Sequence, residues 1–258
     1  MTIKRFSLLI IITLTCMAGS PHRATAAGEI DVTVLPNEIL MGATYNGQVI
    51  NVMGTIPADT APIIRVTGHA EQSKLKKKGR ALGILWMNQG SVEISHVPNV
   101  FLLYLPEGIQ ASSMGGPPPG LGMEAIHRQA HIDSERGDPN ALFEEFVKLK
   151  EKAGLYATAS DAISYPKENK GTKSFHCTVS VPSNLPQGTY QLEVFAVKNG
   201  RVVSHAARAI EAKKVGMPAF ISSLAFQHGT LYGVLAVLVA GIAGLLTGVI
   251  FKGGKGAH

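Results

Sequence analysis

The stretch LYGVLAVLVAGIAGLLTGVIFKGGKGAH, running from Leu231 to His258, constrains this chain more than any other. Residues 231–251 hold no charge, and Lys252 and Lys255 follow them. As a helix, roughly 21 residues rise roughly 31 Å, the thickness of a bilayer's hydrocarbon core. A buried soluble helix of that length would carry a polar stripe, and this one carries none. Tyr232 and Phe251 stand near its ends, where aromatic rings favour the interface. The two lysines place the short tail, 252–258, in the cytoplasm by the positive-inside bias, so the rest of the mature chain lies outside. A core helix of a large soluble domain is the alternative, and the missing polar stripe argues against it.

The other end agrees. Lys4 and Arg5 precede an apolar run from Phe6 to about Ala18, too short to span. Ala24-Thr25-Ala26 then supplies the small-x-small pattern of a cleavage site, which predicts a signal peptide over residues 1–26. Thr13-Leu14-Thr15 before Cys16 matches a lipoprotein box poorly. An uncleaved anchor is the alternative and would leave both ends cytoplasmic. The expected location is the bacterial inner membrane, single-pass, with the bulk of the chain periplasmic.

That topology changes the meaning of the formal charge of +6. Lys4, Arg5 and Arg23 leave with the signal peptide, and Lys252 and Lys255 sit in the tail. Without these five of the 24 basic residues, 19 remain against 18 acidic ones. A nearly neutral ectodomain lacks the footprint of a phosphate-backbone binder, so no nucleic-acid partner is expected. Once Cys16 is removed, Cys177 stands alone in an oxidising compartment and has no intramolecular disulfide partner. It alternates with Phe175 and Val179, which makes it a buried small hydrophobe.

Six apolar-alternating runs between Ile30 and Leu105 read as strands: IDVTVLP, GQVINVMGTIP, APIIRVTG, ALGILWMN, GSVEISHVP and NVFLLYLP. Asn46-Gly47 and Asn88-Gln89-Gly90 are read as turns, since Asn and Gly tolerate positive φ. Pro36, Pro57, Pro98 and Pro106 mark strand ends or edges. SSMGGPPPGLG then breaks both helix and ladder. Beyond it Met123, Ile126 and Ala130 fall on one helical face. A second helix opens at Asp138-Pro139, shows a stripe of Leu142, Phe143, Phe146, Val147 and Leu149, and closes at Gly154. Strand character returns with SFHCTVSVP and NLPQGTYQLEVFAVKNGRVVSHAARAI, where Asn199-Gly200 predicts a two-residue hairpin. Gly188-Thr189-Tyr190 resembles the start of a late immunoglobulin strand, whose tyrosine hydroxyl bonds back to backbone.

The expected fold is mainly β: an immunoglobulin-like β-sandwich with an α-helical insertion, followed by a single C-terminal transmembrane helix. Residues 27–106 form the first part of the sandwich, 107–172 the linker and helical insertion, and 173–212 the last strands. Residues 213–230 form a juxtamembrane amphipathic segment and 231–251 the span. Two separate small domains are the alternative. In the juxtamembrane segment Phe220, Ile221, Leu224 and Ala225 recur at helical spacing, which suits either a helix lying in the interface or a linker helix packed on the ectodomain.

The segment KVGMPAFISSLAFQHGTLYGVLAVLVAGIAGLLTGVIFK resembles the C-terminus of a bacterial family described as putative transmembrane proteins of the alphaproteobacterial type. The likeness extends to NGQVINVMGTI and to KKKGRALGILWMNQGSVEISHVPNVFLLY, where Leu85 intervenes between Ile84 and Trp86. It covers most of the mature chain and is weakest in the proline-glycine linker. It implies a membrane-anchored extracytoplasmic protein with no assigned activity. By association alone, it also implies an accessory role beside a sulfite-exporter-type permease.

Several residues were weighed as sites. His127 and His131 are four apart, so on one helix both rings would face one side as in a two-histidine metal site. Arg128 between them would repel a cation and no glutamate base is present, which favours solvent-facing histidines. His176 and Cys177 adjoin on a strand and diverge to opposite faces. Lys74, Lys76, Lys78 and Arg80, with Lys77, form a basic run before Trp86; it suits lipid headgroups, an anion, an acidic partner, or simply a solvated hairpin. Trp86 suits core packing better than a binding platform. Ala240, Gly244 and Gly248 repeat every four residues along the span, flanked by Gly233, Val237 and Gly241; this spacing lets another helix approach, and glycine is also common in such helices.

No Gly-x-Ser-x-Gly elbow, phosphate loop, zinc-protease motif or Cys-x-x-Cys occurs in the sequence. The expectation is a non-enzymatic membrane protein without a cofactor. Its partners would be membrane lipid and another integral membrane protein, or a second copy met through the span. The alternative is an extracytoplasmic ligand- or metal-binding sensor domain.

Overall fold

A computed structural model describes residues 30–81, 85–109, 117–134, 137–166, 168–169 and 171–252. The predicted signal peptide over 1–26 with its Cys16, residues 112–116 of the proline-glycine linker, and Lys255 lie outside the described residues. The chain forms β1 (Asp31–Leu35), β2 (Glu38–Met41), β3 (Gln48–Pro57), β4 (Ala61–Thr67), β5 (Ala70–Ala81), β6 (Leu85–Pro98) and β7 (Phe101–Tyr104). Next come α1 (Met123–Gln129), β8 (His131–Ser134), α2 (Pro139–Lys152), β9 (Tyr156–Ala159), β10 (Ile163–Ser164) and β11 (Glu168–Asn169). Last are β12 (Thr172–Val181), β13 (Gly188–Lys198), β14 (Arg201–Lys214), α3 (Met217–Gln227) and α4 (Gly229–Lys252).

The strands make three sheets. One has the order β1-β3-β12-β10 with β11 also on β12, the second β2-β14-β13-β4-β7-β9, and the third β5-β6-β8. Alternation sets the inner faces of the first two. Val32 and Val34 are buried in β1, Ile50, Val52 and Ile56 in β3, and Phe175, Cys177 and Val179 in β12. They pack against Ile64, Val66, Leu102, Leu192, Val194 and Ile210 of the second sheet in one core. Tyr104 of β7 crosses this core, its hydroxyl accepting the Ser180 N–H at 3.0 Å. Tyr190 donates its hydroxyl to the Pro186 carbonyl at 2.6 Å, as the Gly-x-Tyr pattern predicts.

The middle of the second sheet is buried on both faces. Phe101, Leu102, Leu103 and Tyr104 are all buried in succession, which explains the uninterrupted apolar FLLYL run. Ile63, Phe101, Leu103 and Phe195 face away from the first core, into a second one built with Val92, Ile94, Ile126, Phe143 and Phe146. The α1–α2 segment and the β5–β6 hairpin therefore form a third layer over the second sheet. As the spacing predicts, Asp138 caps α2, its carboxylate accepting the Ala141 N–H at 3.1 Å. Gly154, at φ 70, follows the helix in the left-handed region. Asn199 and Gly200, at φ 51 and 72, make the two-residue turn between β13 and β14.

Three expectations change. Asn88-Gln89-Gly90 is not a turn: it lies inside β6, where Lys77 pairs with Gly90 and Lys78 with Asn88, leaving Gln89 as the extra residue of a bulge. ALGILWMN and GSVEISHVP thus fall along one hairpin with the lysine run, in the third sheet rather than in the two packed ones. The 107–172 segment is also more than helical. It adds β8 to β6, β9 to β7, and β10 and β11 to β12.

Candidate functional site

α4 determines what the molecule can be. Gly229–Phe251 is the one helix among the described residues long and apolar enough to cross a membrane, and none of it is buried in the protein. Thr247 satisfies its hydroxyl within the helix, donating to the Ala243 carbonyl at 2.7 Å, so it adds no unmet polar group to the span. Ala240, Gly244 and Gly248 are exposed. A Cβ placed on Gly233, Gly241, Gly244 or Gly248 would meet nothing within 4 Å, so this side of the helix is open to a neighbour.

The basic run lies on β5. Lys74 and Lys76 are exposed while Leu75 turns inward against the second core. Lys74 is partly neutralised by its cross-strand neighbour, with Nζ 3.2 Å from Glu93 Oε2. In register, Lys78 pairs with Asn88 and Arg80 with Trp86. β8 pairs with β6 at Val92–Ser95, so among the described residues no third strand lies beside the Lys76–Arg80 part of the hairpin.

The histidine pair does not assemble. α1 ends at Gln129, and Ala130 at φ −63 and ψ 132 turns the chain into β8, so His131 sits on a strand opposite Ser95. His127 instead stacks on Phe143 at 4.4 Å. Among the described residues no group of three or more His, Cys, Asp and Glu could hold a metal ion. His176 and Cys177 do diverge: Cys177 is fully buried, and His176 Nε2 lies 3.3 Å from Asn51 Oδ1 on the outer face. Burial pushes the Cys177 thiol up to about 12, so it is a packed hydrophobe and not a nucleophile.

Two polar assemblies were not legible in the sequence. Arg65 on β4 donates from Nε and Nη2 to Glu193 Oε2 at 3.0 and 2.8 Å, donates from Nη1 to the Gly120 carbonyl at 3.0 Å, and lies 5.0 Å over the Phe195 ring. It borders a cleft of about 470 Å³ shared with Thr67, His96, Phe101 and Gln129. Since its charge is already matched, it ties the 117–122 segment to the sheet and leaves little for an anionic ligand. Glu193 follows Arg65 by 128 positions, so no local pattern announced the pair.

The second assembly is a knot at the root of the hairpin. Buried Asn99 donates its N–H to the His69 carbonyl at 2.9 Å, and its Nδ2 lies 3.2 Å from His69 Nδ1. Lys150, on α2, donates to the Asn99 carbonyl at 3.3 Å and pairs with the Glu71 carboxylate. Tyr156 donates to the Pro98 carbonyl at 2.6 Å, and burial raises its hydroxyl far above the ordinary range, with Glu71 adding a lesser push. Asn99 Oδ1 has no hydrogen-bond partner among the described residues. It fills the place a Cβ on Gly68 would take, 1.7 Å away, so only glycine fits there. This knot clamps hairpin, helix and sheet together.

These features define a membrane-anchored protein whose remaining domain is mainly β. Residues 29–253 match the family described as "Putative transmembrane protein (Alph_Pro_TM)", and the chain belongs to that family. No curated protein matches it.

Proposed function

We propose that this is a non-enzymatic, single-pass accessory protein, whose periplasmic immunoglobulin-like domain is held at the bacterial inner membrane by α4 and docks through that helix on another integral membrane protein. The observation that carries the reading is the open small-residue row Ala240, Gly244 and Gly248 on a span that no other part of the chain covers. The strand order β1-β3-β12-β10 opposite β14-β13-β4, with the Tyr190 hydroxyl bond, supports the immunoglobulin-like description. The basic tail residues Lys252 and Lys255 support a cytoplasmic C-terminus. The start of the family match at residue 29, just past Ala27, suits removal of the leader. A sulfite-exporter-type permease is the partner class that the family resemblance favours. Affinity purification in mild detergent should recover an integral membrane protein with the wild type and lose it with Gly244→Leu/Gly248→Leu. Recovery of the chain alone from wild-type cells, or retention of the partner by the double variant, refutes docking through this face.

A further inference from the structure

The short helix between the ectodomain and the span has a face that nothing among the described residues covers. On α3, Met217, Phe220 and Ile221 are 62, 59 and 47 % exposed, and with Leu224 they form an apolar stripe at i, i+3, i+4, i+7 spacing. No residue of α3 is buried. The other side carries Ala219, Ser222, Ser223 and the 87 % exposed Phe226, which line a cleft against Gly188, Glu211 and Lys213 at the end of the second sheet. The side bearing both serines, with Phe226, thus turns to the β domain, and the stripe of Met217, Phe220, Ile221 and Leu224 turns away from it.

We propose that α3 lies in the headgroup layer of the bilayer, with Met217, Phe220, Ile221 and Leu224 immersed, and that it seats the Lys213–Lys214 end of the second sheet on the membrane surface. Lipid is the occupant because the stripe is continuous with a surface that lipid already covers. Only His228 separates α3 from α4, and between Lys214 and Lys252 the chain has no Asp, Glu, Lys or Arg. α4 needs no help to cross: the 23 residues of Gly229–Phe251 rise roughly 35 Å, already more than the hydrocarbon core. Extra apolar helix beyond a full span belongs at the interface. The backbone provides the bend, since His228 leaves the helical region at φ −130 and ψ 51, and Gly216 at φ 63 redirects the chain where it leaves β14. The proposal rests on α4 spanning the bilayer and does not need a docked partner.

The test is photocrosslinking of the purified full-length chain, one copy per nanodisc of phosphatidylethanolamine and phosphatidylglycerol. Benzoylphenylalanine is placed at Phe220 or, as the opposite-face control, at Ser222. The lipid adduct, read by mass spectrometry, should be several-fold more abundant from position 220 than from 222. Equal adducts at both positions overturn the proposal, as does a crosslink from 220 into the ectodomain with no lipid adduct. At higher loading, capture of a second copy in place of lipid would assign the stripe to self-association and overturn it too. A benzoylphenylalanine at Leu238, inside α4, must label lipid in the same discs; its failure would indict the span and not the seating of α3.

Discussion

At Cys177 a reactive group has been made inert by its surroundings. The side chain is fully buried between Phe175 and Val179 on the inner face of β12, away from the solvent that would stabilise a thiolate. Its folded value of about 12 stands above the ordinary 9.0, and that of Tyr190, also raised by burial, reaches about 12 from 10.0. The folded state therefore holds these protons more tightly than the unfolded state does. The stability they contribute is complete below pH 9 and drains away as pH climbs from 9 towards 12. Urea midpoints measured across that range should fall steadily, and Cys177→Ala should show a shallower fall because one of the titrating groups is gone. A midpoint unchanged up to pH 11 would mean that water reaches both groups. Asn99, by contrast, keeps an unmet Oδ1 in the interior, a cost repaid by the clamp its other atoms form with His69 and Lys150.

α2 is the element on which the third layer depends. Phe143 and Phe146 fill the second core, Lys150 reaches the knot, and Asp138 holds the first turn. Asp138→Ala should lower stability by about 1 kcal/mol in thermal or chemical unfolding, whereas Asp138→Asn should cost only a few tenths of that, because asparagine caps as well as aspartate. An equal loss for both would point to charge rather than the cap. Elements of this sort were legible because their signals are local: an N-cap before a proline, a glycine after the last turn, Asn-Gly between two strands. β5 was not. Lysine is depleted in strands, so the run suits a solvated hairpin, yet Leu75 between Lys74 and Lys76 packs against the second core and pins the register. β8 through β11 were missed for another reason: each is two to four residues long and exists only because a partner strand elsewhere in the chain receives it.

For the molecule as a whole, the apolar terminus was the clearest signal, since 23 consecutive residues of that kind admit few other uses. The open sides of Gly244 and Gly248 were legible as spacing; that nothing in the chain covers them was not. The full-length protein should stay in the pellet after alkaline carbonate extraction, and a chain ending at Gln227 should be released or extracted far more readily. Release of the full-length form would remove the anchor.

The route by which the chain leaves its ectodomain carries a mechanical consequence. β14 is held by β13 along nearly its whole length and by parallel β2 over Glu211–Lys214, its final residues before α3. Tension transmitted from the anchor would enter along β14 and load both ladders in shear, so that many hydrogen bonds must slide together instead of unzipping in turn. A domain tethered in this way would bear a pull on its anchor without shedding its last strand.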